Sequence, residues 1–225
     1  MSHNNTKVLD ALRRLKHLHT ENKFVNVRGQ KIVEIENYTE VFTADDAGII
    51  TLPGFSTNAD YVEAELNWYD SASNKSDFIS NFASMWSQID DHRGFVNSNY
   101  GHLVFSPQNC YQYDNARHAL QQDLYSRRAF MVYCPNHIHY TGGNDYVCTM
   151  YVAFMYRNGA LNAYVSMRSS DLRYGLVGAD LAWHVSVLSK LANDLCLPVG
   201  LVHWHAVSLH LYERHFNIFS SDLLN

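Results

Sequence analysis

Three groups of residues in this sequence carry side chains whose types and spacing can do chemistry. Cys148 stands near the start of an apolar stretch, YVCTMYVAFMYR. A lone strand cysteine is ordinarily an inert core thiol, and it becomes a nucleophile only where something stabilises its thiolate. Guanidinium and hydroxyl groups gather in two runs, Ser126-Arg127-Arg128 and Met167-Arg168-Ser169-Ser170-Asp171. Arginine presents a planar fork of donors that matches phosphate oxygens, and adjacent serine hydroxyls add to it. A single arginine more often ends in a surface salt bridge, but these runs border apolar strands, and charge at a sheet end points to a site. Histidine forms the third group: His137-x-His139, His203-x-His205, and the His210 to His215 interval. Residues i and i+2 share one face of a strand, so such pairs can in principle hold a metal. No acidic or cysteine partner completes a ligand set at a characteristic spacing and there is no HExxH, so hydrogen-bonding histidines are expected rather than a metal centre.

These groups need a scaffold. The length of 225 residues fits one domain over 1–225, and 47% hydrophobic against 17% charged residues is the balance of a globular chain with a sizeable core. A formal net charge of -5 supplies no global basic field, which argues against a nucleic-acid polymer as partner. The N-terminal stretch is polar and lacks a signal-type apolar run, and no run of about 20 apolar residues follows, so no membrane partner and a cytoplasmic location are expected. The four cysteines form no CxxC and read as free thiols.

Apolar periodicity predicts a helix over Lys7 to His19, a strand over 30–43, and a helix from Asn58 to Tyr69 whose first turn is acidic. Residues 70–82 read as loop. Strands follow at Ala129–Cys134, Tyr146–Arg157 and Leu161–Met167, the last two joined by the hairpin signal Asn158-Gly159. A long helix is expected from Asp180 to Leu197, stopped by Pro198, and a last strand over Leu201–Leu209 that runs into His210. The result is an α+β domain with a mixed sheet carrying helices on one face.

Several of these segments, in collinear order, resemble the thymidylate synthase family: NVRGQ (26–30), ELNWY (65–69), Met85-Trp86, NSNYG (97–101), DLYSRRAFMVY (123–133), the Cys148 strand, NAYVSMRSSD (162–171) and SLHLYERHF (208–216). Within that family the sequence is most similar to the phage enzymes that hydroxymethylate deoxycytidylate. The resemblance implies a thymidylate-synthase-like fold and a homodimer with its two sheets back to back. It implies that Cys148 adds to C6 of a pyrimidine, so that C5 becomes nucleophilic toward 5,10-methylenetetrahydrofolate. Arg168 would lower the Cys148 pKa. Arg28, Arg127, Arg128, Arg168 and Ser169 match phosphate-binding positions, with Arg127 and Arg128 supplied by the other subunit. Asp171 matches a base contact, and His210 and Tyr212 match the pair that holds the sugar 3′-hydroxyl. Glu65 matches the glutamate that organises proton transfer, and Trp86 and Tyr100 match positions lining the folate cavity.

Asp180 stands where uracil-specific relatives carry Asn. A carboxyl accepts from the cytosine N4 amine and, when protonated, donates to N3, which implies dCMP as substrate. Three further departures mark a remodelled site: one extra residue between Asp171 and Asp180, Thr149 in place of the usual His, and Met167 in place of Gln. The closing tail of many relatives is replaced by the short ending SSDLLN. Hydroxymethylation of dCMP is the expected reaction. The alternatives are 5-methylation of dCMP with hydride from tetrahydrofolate, hydroxymethylation or methylation of dUMP, and an inactive relative that only binds a nucleotide or RNA.

Overall fold

The computed structural model describes residues 2–134 and 145–224. His137 and His139 therefore lie outside the described residues. Among these residues seven strands form one mixed sheet: β1 (Val25–Val27), β2 (Gln30–Thr43), β3 (Phe130–Val132), β4 (Thr149–Arg157), β5 (Ala160–Met167), β6 (Ser170–Asp171) and β7 (Val199–Tyr212). Their order is β1-β2-β7-β5-β4-β3, with β6 beside β7. Neighbours are antiparallel except that β5 and β6 run parallel to β7. A parallel neighbour requires a crossover, and α7 (Asp180–Asp194) supplies it, packing on both β5 and β7.

Two tight hairpins match their residues. Asn158 and Gly159 both take positive φ between β4 and β5, as do Arg28 and Gly29 between β1 and β2, which is the geometry of a two-residue loop with the right twist. The second hairpin places Arg28 at the sheet's outer edge.

Helix α1 (His3–Thr20) starts at Ser2, whose hydroxyl accepts from the Asn5 N–H, and it buries Val8, Leu12 and Leu15. Helices α2 (Ala59–Asp70), α3 (Asp77–Ser80), α4 (Met85–Ile89), α5 (Tyr100–Phe105) and α6 (Gln112–Gln122) complete the set named here. On β7, Val202, Trp204 and Ala206 point into the core while Leu201, His203, His205 and Val207 alternate with them on the other side. That second side is open: Tyr151, Leu201 and Val207 are exposed there.

Several boundaries differ from expectation. The strand expected over Tyr146–Arg157 starts at Thr149, so Cys148 sits just before β4 rather than within it. The reason is local: Arg168 donates to the carbonyls of Tyr146 and Val147, engaging groups a strand ladder would otherwise use. The strand expected over Ala129–Cys134 shrinks to Phe130–Val132. Helix α7 stops at Asp194, with Cys196 turned to φ 54, so the left-handed turn ends the helix ahead of Pro198. Strand β7 runs past Leu209 to Tyr212 because β2 pairs with it throughout, from Thr43–Leu201 to Ile32–Tyr212. Residues 77–80, expected as loop, form the single turn α3.

Candidate active site

Helix α2 supplies the first wall. Its cap Asn58 accepts from the Asp60 N–H, and Tyr61, Glu65 and Tyr69 then recur at one-turn intervals on a single face. Glu65 is buried. The Tyr69 hydroxyl donates to its Oε1 at 2.7 Å, and the nearby Tyr61 hydroxyl also favours the charged form. Burial still outweighs these donors and pushes the Glu65 carboxyl up to about 7. Trp86 closes the row from α4, donating its indole N–H to the Tyr61 oxygen at 3.1 Å.

Helix α5 brings Tyr100 against this wall. Its cap Asn99 accepts from the His102 N–H and donates to the Trp68 carbonyl, tying α5 to α2. Gly101 permits the close approach, since a Cβ there would fall onto the Tyr69 carbonyl. Tyr100 and Tyr69 consequently stack with centroids 4.9 Å apart. The Tyr100 oxygen accepts from Thr149 Oγ1 at 3.1 Å, and Asp180 lies near enough to act on Tyr100 by its charge.

The nucleophile candidate is clamped from both sides. Upstream, Asp145 accepts from the backbone N–H groups of Asn97 and Ser98 and from the Ser98 hydroxyl. Downstream, the Arg168 backbone N–H donates to the Cys148 carbonyl at 3.0 Å, and its Nη2 lies 3.9 Å from Cys148 Sγ. Arg168 pulls the thiol pKa down, as expected, but burial acts more strongly, and Asp180, Asp145 and Asp171 add to it. Burial and the three carboxylates together push the Cys148 thiol up to about 12, against the expected pull of Arg168.

The residue count between Asp171 and Asp180 is accommodated by an unusual turn. Asp171 caps it, accepting from the N–H groups of Arg173 and Tyr174, and residues Leu172–Ala179 wind as a wide turn that kinks at Gly178, where the backbone leaves the helical region. Gly175 is required inside it, because a Cβ there would stand 2.6 Å from Asp180 Oδ2. Asp180 thus starts α7 with its carboxyl in the notch above Gly175. Burial and the nearby Glu65 raise that carboxyl to about 7, opposed by the Tyr100 hydroxyl.

The sugar-side pair sits at the end of β7. His210 pairs with Asp171 of β6 on one side and Glu34 of β2 on the other. Its ring meets that of Tyr212 edge-on at 5.0 Å. Burial lowers the His210 pKa, with Asp171 pulling the other way. The Arg214 guanidinium lies 4.2 Å over the Tyr212 ring, and the charge of Arg28 also reaches Tyr212.

Of the residues read from the sequence, Cys148, Arg168, Asp171, Asp180, Glu65, Tyr100, His210 and Tyr212 are linked by these contacts and mutual charge effects. Ser169 is half-buried between Arg168 and β6. Trp86 serves the Tyr61–Glu65 row through its N–H. Arg127 and Arg128 stand apart: both are exposed just before β3, at the sheet edge opposite Arg28. Sequence reasoning missed Tyr61, Tyr69, Asp145 and His184. The two tyrosines were detectable as residues one turn either side of Glu65, and His184 as one turn after Asp180. Asp145 carried no signal. Metal-type spacing at His203 and His205 resolves into other contacts: His203 stacks on Tyr164 at 4.5 Å, and His205 Nε2 lies 3.1 Å from Asn37 Oδ1.

A half-buried cysteine beside an arginine, two raised carboxyls and a polar strand end come together in one place. Residues 15–224 match the thymidylate synthase family model, and the chain belongs to that family of one-carbon transferases. It is 34% identical over 207 residues to the deoxycytidylate 5-hydroxymethyltransferase of Enterobacteria phage T4, a match spanning 85% of this chain and 80% of the relative. The phage T2 enzyme of the same name matches equally. A deoxyuridylate hydroxymethyltransferase of Bacillus phage SP01 is 26% identical over 199 residues, 82% of this chain and 51% of that protein. No helix among the described residues is long and apolar enough to cross a membrane.

Proposed function

We propose that this chain hydroxymethylates C5 of dCMP to give 5-hydroxymethyl-dCMP, with Cys148 as nucleophile and 5,10-methylenetetrahydrofolate as one-carbon donor. The carrying observation is the Asp180 carboxyl, seated above Gly175 and raised to about 7 in the same buried site as Glu65 and Cys148. A carboxyl titrating there supplies both an acceptor for the N4 amine of cytosine and a proton for N3. An amide at that position serves uracil, and a carboxylate facing uracil O4 costs about 1–3 kcal/mol.

The residues divide the work as follows. Arg28, Arg168 and Ser169 hold the phosphate, joined by Arg127 and Arg128 of a second copy. His210 and Tyr212 take the sugar 3′-hydroxyl, and Asp171 lies next to the base. Cys148 adds to C6, which turns C5 into an enamine carbon. The aromatic surface suits a folate: Trp86 and Tyr100 back the site, while Phe78, Phe82 and Met85 are exposed on the adjoining α3–α4 segment. Bound there, the folate supplies one carbon at the formaldehyde level. Glu65, near its midpoint at neutral pH, then holds the water that completes the hydroxymethyl group.

A homodimer fits this reading. The open sheet face exposes Tyr151, Leu201 and Val207 beside half-buried Tyr164, His203 and His205, an apolar and aromatic surface of the kind two copies bury. Back-to-back packing there gives Arg127 and Arg128, idle in their own chain, a partner's site to complete.

The test is mass spectrometry of the product from dCMP and methylenetetrahydrofolate. A gain of CH2O is expected, without dihydrofolate absorbance. A gain of CH2 with dihydrofolate would assign a methyltransferase instead, and faster turnover of dUMP would overturn the cytosine reading.

A further inference from the structure

The motif NSNYG (97–101) lends only Tyr100 to the proposed chemistry, which leaves Asn97, Ser98 and Asn99 without a task there. Their partner is distant in sequence. Asp145 is buried, and its Oδ2 accepts from the backbone N–H groups of Asn97 at 2.7 Å and Ser98 at 2.8 Å. Its Oδ1 accepts from the Ser98 hydroxyl, and its own carbonyl accepts from Asn97 Nδ2 at 3.0 Å. Four hydrogen bonds thus join Asp145, three residues before the cysteine, to the pair that precedes Asn99 and Tyr100. Asn99 carries the connection on, since it caps α5 through the His102 N–H and holds the Trp68 carbonyl of α2.

The backbone from Asp145 to Cys148 belongs to no strand, so its polar groups need partners of another kind. Every carbonyl of the segment has one. That of Asp145 takes Asn97 Nδ2, that of Tyr146 takes Arg168 Nη2 at 2.7 Å, and that of Val147 takes Arg168 Nε at 2.9 Å. The Cys148 carbonyl takes the Arg168 backbone N–H at 3.0 Å. The segment carrying the sulfur is therefore held at its start by Asn97 and Ser98 and along the rest by Arg168. Beyond the sulfur, Thr149 Oγ1 lies 3.1 Å from the Tyr100 hydroxyl, so Cys148 is bracketed by two ties to the start of α5.

From this bonding we infer that Asp145 is a positioning residue for the nucleophile, and that with Asn97 and Ser98 it fixes the spacing between Cys148 and Tyr100. The inference rests on the reading of Cys148 as nucleophile and deepens it. A carboxylate suits the task because it accepts at both oxygens and so takes all three donors at once. Those donors, left buried without it, would cost stability, which keeps the tie closed while the fold stands. Placement on this scale governs rate, since a misplacement of about 1 Å in a reacting group costs about 100-fold.

The experiment uses the full-length protein, with dCMP turnover at saturating methylenetetrahydrofolate and hydrogen exchange read by mass spectrometry. Asp145→Ala should lower kcat by about 100-fold while KM for dCMP stays within about 2-fold, because the phosphate and sugar contacts stand elsewhere. Asp145→Asn should bring kcat back to within about 5-fold of the wild type. Its amide oxygen can take the two backbone N–H groups, and the Ser98 hydroxyl can turn to accept from the amide nitrogen. Ser98→Ala should cost about 5-fold in kcat, and less than about 2-fold when added to Asp145→Ala. Should Asp145→Ala not fold, Ser98→Ala decides, and an unchanged kcat there overturns the inference. Exchange needs no turnover: Asp145→Ala should speed it in peptides covering both 97–100 and 146–149. A folded Asp145→Ala protein with unchanged kcat, a rise in KM alone, no recovery in Asp145→Asn, or no faster exchange at 146–149 would each overturn the inference. If the wild type does not turn over dCMP, the proposed function falls, while exchange still decides whether Asp145 holds the Cys148 segment.

Discussion

Two histidines on opposite faces of the sheet show how one side-chain type is used for different ends. His184 lies under the helices, ringed by Tyr100, Tyr133 and Trp204, and hydrogen-bonds to Thr149. His203 lies on the open face of β7, stacked flat on Tyr164 and only half-buried. Burial lowers both pKa values, but far more for His184, to about 3. The covered face seals titratable groups away from water and so fixes their protonation and direction. The open face keeps its polar groups close to water in a shape fit for another surface. The proposed chemistry uses the first face and the proposed assembly the second.

The sharpest way to break that division is to remove the nucleophile. Cys148→Ser should lower turnover by at least about 10^4-fold, in line with nucleophile deletions in covalent enzymes, while calorimetry still detects dCMP binding. Retained turnover would end the covalent mechanism. The next effect concerns the open face. Leu201→Arg with Val207→Arg should convert a dimer to a monomer in analytical ultracentrifugation and cut activity by about 100-fold through loss of two phosphate contacts. If the monomer keeps full activity, the open face has no part in the site.

A stability effect follows from the raised carboxyl of Glu65. Its folded pKa of about 7 exceeds the unfolded value, so the folded state binds more protons between roughly pH 4 and 7. Stability is greatest at the acid end of that window and falls as pH rises through it. Glu65→Gln removes this loss, so the variant should gain on the wild type by about 2 kcal/mol between pH 5 and pH 8 in urea titrations. A parallel pH dependence in both proteins would contradict the burial argument. The smallest effect belongs to the open face again: His203→Ala should change monomer stability by less than about 1 kcal/mol, since a half-exposed stacked ring contributes little.

Much of this architecture was legible in the sequence, for stated reasons. Strand β2 appears at Gln30–Thr43 as expected because alternation over 14 residues has one structural meaning. Asn158-Gly159 gives the expected hairpin because few other dipeptides hold two positive φ angles. Helices α4, α5 and α6 were not foreseen. α4 and α5 are short, and α5 is held by tertiary ties such as Asn99 to the Trp68 carbonyl; α6 buries Tyr113, Ala116 and Leu120 within a mostly polar stretch. The collinear motifs located most site residues, and Glu65, Cys148, Arg168 and Asp180 do converge. What they did not supply was the balance of opposing effects at Cys148, where burial overrides Arg168. That balance depends on how deeply the thiol is enclosed, which no local pattern encodes. The tyrosine row around Glu65 and the buried His184 escaped for the opposite reason: their spacing was visible, but their neighbours were not.

The turn before α7 bends at Gly178, where the backbone leaves the helical region, and only then enters the helix that Asp180 starts. Gly175 leaves the room that the Asp180 carboxyl fills, since a Cβ there would stand 2.6 Å from Oδ2. A single methyl group on the turn would therefore push the carboxyl aside, so the backbone of the turn itself sets where Asp180 stands.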